Sequence, residues 1–100
     1  MSAQKASSGT LTVNTVEDVD FPDYYPTVTI VHLGSSGVIW VRTDGEDPVL
    51  EGDDTYPVLP GERVPYMNLN LYSDPNLRIS AGTRVLMISD TAIPYTVYCY

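Results

Sequence analysis

Residues 27–45 read Thr27-Val28-Thr29-Ile30-Val31-His32-Leu33, Gly34-Ser35-Ser36-Gly37, Val38-Ile39-Trp40-Val41-Arg42-Thr43, Asp44-Gly45, and they decide the fold class. Most side chains in the first and third blocks are β-branched or aromatic. Such side chains crowd the preceding turn of a helix but sit well on a pleated strand. Two glycines bracket two serines between the blocks. That is turn chemistry, and it predicts two strands joined as a hairpin, the second ended by Asp44-Gly45.

The pattern continues in both directions. Upstream, Thr10 to Val16 alternates Leu11 and Val13 with Thr12 and Asn14, predicting a first strand with Leu11 and Val13 inward. Glu17 to Asp23 reads as a loop anchored by Phe21. Downstream, Thr55-Tyr56-Pro57-Val58-Leu59 and Arg63-Val64-Pro65-Tyr66-Met67 flank a Pro60-Gly61 turn. Pro57 and Pro65 carry no N–H for a ladder, which places both segments at sheet edges or in short strands. Leu69 to Tyr72 and Leu77 to Ile79, either side of Ser73-Asp74-Pro75-Asn76, predict a further small hairpin. Thr83 to Ser89 and Tyr95 to Tyr100 predict the closing strands, joined by Asp90 to Pro94.

Eight prolines and seven glycines interrupt the chain before any helix can lengthen. The expected fold class is all-β: a small antiparallel β-sandwich of about seven to eight short strands. The expected organisation is one domain over residues 10–100 after a flexible N-terminal arm over residues 1–9. That arm holds one lysine and no apolar run, so it does not read as a secretory signal.

Thirteen acidic against five basic residues give a net charge of −8. Phosphate backbones and anionic membrane surfaces repel such a chain, so neither nucleic acid nor membrane is an expected partner. The apolar runs are too short to span a bilayer. A single cysteine, Cys99, excludes an intrachain disulfide and suits synthesis in a reducing cytoplasm; it is expected as an inert buried thiol.

Chemistry-bearing residues are sparse. His32, the only histidine, stands inside a strand with no nucleophile or carboxylate spaced for a triad, so no catalytic residue and no enzyme activity is expected. One histidine and one cysteine fall short of a zinc site of the usual kind, and no cofactor is implied. Residues 44–54 carry six carboxylates, but their spacing departs from the helix-flanked calcium loop, and the segment reads first as a solvated loop. Tyrosine is frequent, eight in one hundred residues. Alternation sends Tyr95, Val97 and Cys99 to one face of the last strand and Thr96, Tyr98 and Tyr100 to the other. Tyr98 and Tyr100 therefore either cover the core from a sheet edge or join Tyr24 and Tyr25 in a protein interface. Trp40, between Ile39 and Val41, is assigned to the core.

The run Ile39 to Gly45, then Pro48, Gly52-Asp53-Asp54, Tyr56, Val58, Pro60-Gly61 and Arg63, resembles a known pattern. It is similar to small virion structural proteins of tailed bacteriophages of actinobacteria, in which a strand ending in "VDG" or "TDG" precedes a "GDD-Y" segment and a "P-G" turn. Met87-Ile88-Ser89 and Pro94-Tyr95-Thr96-Val97 are similar to that family's final hairpin, although the turn at Asp90-Thr91-Ala92-Ile93 lacks the family's glycine. The resemblance implies a β-sandwich capsid decoration (minor capsid) protein on the outer head surface, with the major capsid protein as partner. It also implies a homo-oligomer, most simply a trimer, because capsid lattices offer threefold and sixfold positions. The alternatives are a head-to-tail connector or tail component of the same virion, or a small carbohydrate- or calcium-binding module.

Overall fold

The computed structural model describes residues 5–52, 55–68 and 82–100. Eight strands occur there: β1 (Ala6–Thr10), β2 (Glu17–Phe21), β3 (Thr27–His32), β4 (Ile39–Arg42), β5 (Tyr56–Val58), β6 (Arg63–Met67), β7 (Thr83–Ile88) and β8 (Pro94–Cys99). They form two antiparallel sheets in the orders β1-β8-β3-β6 and β2-β7-β4-β5. The chain is thus the all-β sandwich that its alternating segments predict.

The strand order has a simple generator. Pairs β1·β8, β2·β7, β3·β6 and β4·β5 are those of one long hairpin folded at the β4–β5 connection. Rolling that ribbon onto itself adds the pairs β3·β8 and β4·β7 and splits it into two sheets. This is the jelly-roll arrangement of eight strands in two facing sheets. Every connection except β4–β5 therefore crosses from one sheet to the other. The expected hairpin of residues 27–43 is corrected on this point: β3 and β4 lie in opposite sheets, and so do β7 and β8. Turn chemistry fixes where the chain reverses, whereas the choice of neighbour is made by the rolled ribbon.

The corner between β3 and β4 shows how a reversal becomes a crossing. His32 is 1% exposed, its Nδ1 accepts the Gly34 N–H at 3.1 Å, and its Nε2 bonds the Gly37 carbonyl at 3.0 Å. One side chain thus satisfies backbone groups at both ends of the corner. Gly37 has φ 84, and a Cβ there would lie 2.9 Å from Ile93 Cδ1, so glycine is required.

Alternation decides the core. Val19 and Phe21, Val28 and Ile30, Ile39 and Val41, Val58, Val85 and Met87, and Tyr95, Val97 and Cys99 point between the sheets, with Leu11 and Ile93 added from the corners. Each fully buried aliphatic side chain contributes about 1.5–3 kcal/mol. At the side where β5 and β6 form facing edges, the Tyr56 and Tyr66 rings stack with centroids 5.2 Å apart, and Tyr66 donates to the Pro57 carbonyl at 3.2 Å. β5 and β6, each with a proline in its interior, are both edge strands, as the missing donors require.

Several sequence expectations change. The first strand is Ala6–Thr10, not Thr10 to Val16, so the last part of the expected arm is a strand paired to β8. Ala-Ser-Ser-Gly-Thr has little strand propensity, and only the β8 ladder makes it one. Leu11 is buried as expected, but Val13 is 47% exposed. The expected loop 17–23 contains β2, where Asp18 and Asp20 point outward and Val19 and Phe21 inward. Phe21 is the anchor expected of it, at 2% exposure. The hairpin expected across residues 69–79 lies outside the described residues.

Candidate functional site

The two outer faces of the sandwich differ in chemistry, and the difference follows from register. On the β1-β8-β3-β6 sheet, Tyr100, Thr27 and Met67 share one row; Ala6, Tyr98, Thr29 and Pro65 the next; and Ser8, Thr96, Val31 and Arg63 the third. Arg63 is the only charge in these three rows. Tyr98 stacks on Tyr100 with centroids 6.2 Å apart, as the two-residue period of β8 allows. Thr29, in the row between Tyr98 and Pro65, is buried although it points outward. Tyr100 is 58% exposed, Met67 68%, and Leu33 beyond the third row 57%.

The expected interface tyrosines meet at one end of this sheet. Thr27 and Tyr100 exchange two backbone hydrogen bonds, which sets the loop of Tyr24 and Tyr25 beside the end of β8. A buried polar knot holds that loop. Thr83 Oγ1 donates to the Asp23 carbonyl at 2.8 Å and accepts the Tyr25 N–H at 2.8 Å, while Asn68 Nδ2 donates to the Tyr25 carbonyl at 2.9 Å. Tyr24 is exposed. Tyr25 packs against the core cluster, with the Lys5 ammonium 5.8 Å from its ring centroid. Of the four candidates, Tyr24, Tyr98 and Tyr100 thus belong to the outer surface and Tyr25 to the rim of the core. Cys99, one position from both outer tyrosines, points inward; burial pushes its thiol pKa up and lowers its reactivity.

The outer face of the β2-β7-β4-β5 sheet is charged and internally paired. Arg84 donates to Asp18 at 2.8 Å and lies 3.6 Å from Asp20 across the β2·β7 pair. The hydrogen bond from Arg84 holds the Asp18 carboxyl below its usual range, whereas burial and the Asp18 charge push Asp20 up. Arg42 pairs with Asp44 and lowers its pKa in the same way. The loop leaving β4 doubles back over this face. Pro48 is buried on it, the charge of Asp47 reaches Arg84, and Leu50 and Glu51 stand across a cleft from Trp40. Leu86, outward in the row between Asp18 and Arg42, is accordingly 2% exposed.

That cleft encloses about 310 Å³ between Gly37, Val38, Trp40, Leu50, Glu51 and Asp90. Its presence corrects the assignment of Trp40 to the main core: β4 sends Ile39 and Val41 inward, so Trp40 must face out. The alternation of Ile39, Trp40 and Val41 carried that signal in the sequence. Glu51 and Asp90 could not be found this way, because the folded-back loop brings Glu51, and the β4·β7 pairing brings Asp90, to the tryptophan. His32, with both ring nitrogens bonded to backbone, has no free nitrogen to act as a base in this arrangement. Among the described residues no three of His, Cys, Asp and Glu converge as a metal site.

No family model, no curated protein and no solved structure matches this chain. The functional reading therefore rests on the faces themselves.

Proposed function

We propose that this chain is a non-enzymatic virion structural protein, a capsid decoration (minor capsid) protein that assembles with its own copies and binds the major capsid protein of a tailed-phage head. The observation that carries the reading is the outer face of the β1-β8-β3-β6 sheet, whose three rows hold one arginine and no carboxylate, with Tyr100, Met67 and Leu33 exposed on a chain of net charge −8. Copies of so acidic a chain repel one another, and they approach most easily where no carboxylate is placed. Tyrosine and methionine supply contact area there without a desolvated charge. A second copy is thus the occupant the charge distribution favours, with a trimer as the simplest closed form on a capsid lattice.

Two further features support it. The jelly roll is an architecture used by viral capsid and lectin domains, which is an analogy of fold and not of site. Three of the four edge strands carry blunting residues, aspartates in β2 and a proline each in β5 and β6, while β1 carries none in its Ala-Ser-Ser-Gly-Thr. An unblunted edge beside that face extends the surface available to a neighbouring copy.

The test is sedimentation of the purified chain and of its mixture with heads lacking their native decoration. A homo-oligomer that co-sediments with heads is expected; a monomer that leaves heads bare overturns the proposal. The other virion role, a connector or tail component, predicts about a dozen copies per particle instead of hundreds, which gel densitometry separates.

A further inference from the structure

We infer that the cleft over Trp40 is a binding site for an organic cation, a guanidinium or ammonium group. Among the described residues its walls hold one aromatic ring, two carboxylates and no basic side chain: Trp40, Glu51 and Asp90, with Leu50, Gly37 and Val38. Among the described residues, Asp18 and Asp20 on this face are already engaged by Arg84, and Asp44 by Arg42. Glu51 and Asp90 make no ion pair or side-chain hydrogen bond among the described residues. A tryptophan face attracts a cation through its quadrupole, and a carboxylate adds a charge-assisted hydrogen bond to the same group. An anion would meet two like charges, and a wholly apolar ligand would strip water from them without recompense.

The turn that presents Glu51 is built for the position. The Gly52 N–H donates to the Val49 carbonyl at 2.9 Å, and Thr55 Oγ1 donates to the Gly52 carbonyl at 2.7 Å. Within it Glu51 has φ 55, a left-handed conformation that asparagine or glycine adopts with less strain. Among the described residues nothing pairs with that glutamate side chain, whereas a cation in the cleft would give it a partner. The inference does not rest on the virion reading, since the cleft lies on the opposite sheet from the face proposed for association. The cation has two sources, an arginine or lysine side chain of a partner protein or a free polyamine.

Trp40 is the only tryptophan, so its indole N–H gives one resonance in a ¹⁵N spectrum and reports the cleft alone. The full chain is titrated with N-acetyl-arginine amide, spermidine, the uncharged isostere N-acetyl-citrulline amide, and methyl glucoside. A saturable shift with a cation at millimolar concentration, weakened by salt and at least about tenfold weaker for citrulline, is expected. Tighter binding of arginine amide assigns a partner side chain, and tighter binding of spermidine a polyamine. The variant Glu51→Asn, which suits the backbone, and the double variant with Asp90→Asn are expected to keep the wild-type melting temperature and lose about tenfold or more in affinity. Citrulline binding as well as arginine, unaltered binding by the variants, no shift with either cation, or a shift with glucoside alone would each overturn the inference.

Discussion

Leu86 and Met67 both point away from the core, yet Leu86 is 2% exposed and Met67 68%. The two sheets that carry them have four strands each and both turn apolar side chains inward. The difference arises outside. Over the β2-β7-β4-β5 sheet the chain supplies its own roof, the loop that follows β4, and pairs its charges beneath it. Over the β1-β8-β3-β6 sheet the described residues supply no roof, and carboxylates are withheld from its three rows instead. A sheet face closed by its own chain contributes to folding; a face left open and free of carboxylates in its three rows is available for association. If copies associate as proposed, the contrast separates residues whose loss is expected to unfold the chain from residues whose loss is expected only to separate copies.

The sharpest way to break this contrast is truncation on both faces. Leu86→Ala removes an outward but fully buried side chain and is expected to lower the unfolding free energy by about 2–4 kcal/mol, read in urea. Tyr100→Ala is expected to cost the isolated chain under about 0.5 kcal/mol. Equal effects at the two positions would abolish the distinction. The corner histidine sharpens it from within the fold. His32→Ala leaves the Gly34 N–H and Gly37 carbonyl without their partner and opens a cavity, so a loss of about 2–4 kcal/mol is expected, with oligomeric state unchanged once the variant is folded.

Association should respond in the opposite way. Tyr98→Lys with Tyr100→Lys is expected to weaken self-association by about 2 kcal/mol or more, roughly thirtyfold, in sedimentation equilibrium, with little change in melting temperature. Retained oligomers would move the contact surface elsewhere. A smaller effect tests the edge that joins the two sheets. Burial first, then Glu62 and Tyr56, raise the Tyr66 hydroxyl to about 12, above its unfolded value near 10. The neutral phenol is the form the fold favours, so this contribution is complete below about pH 10 and disappears as pH rises through about 12. Tyr66→Phe should flatten stability across that alkaline window; an unchanged slope would show that the Tyr56–Tyr66 stack does not couple to folding.

Smallest of all is the surface ion pair. Arg84→Ala should cost about 0.2–1 kcal/mol and less at high salt. Asp18, held low by Arg84, contributes stability above its unfolded pKa that is lost as pH falls through the folded one. In the variant that acid-side loss should shrink, as urea midpoints at pH 3 and pH 7 would report.

The fold class was legible because strand alternation is written locally: Val28 and Ile30, Ile39 and Val41, and Val97 and Cys99 take the inward positions their spacing assigns. That Tyr98 and Tyr100 face opposite to Tyr95 was legible for the same reason, but which of the two faces turns outward was not. β1 was not, since nothing in Ala6–Thr10 favours a strand until β8 offers its edge. β2 was hidden by its aspartates, which point outward on an edge strand beside Arg84. Trp40 was misplaced although its two neighbours already implied its direction.

The sequence alone determined that the chain alternates, where it turns, and that it is strongly acidic, because each depends on residues adjacent along the backbone. Tertiary structure decided that each connection but one crosses between sheets, that outward-pointing Leu86 is buried, and that Glu51 and Asp90 line one cleft with Trp40. Those outcomes depend on which distant strands share a ladder, and pairing energy at long range is set by the whole rolled ribbon and by no single segment of it.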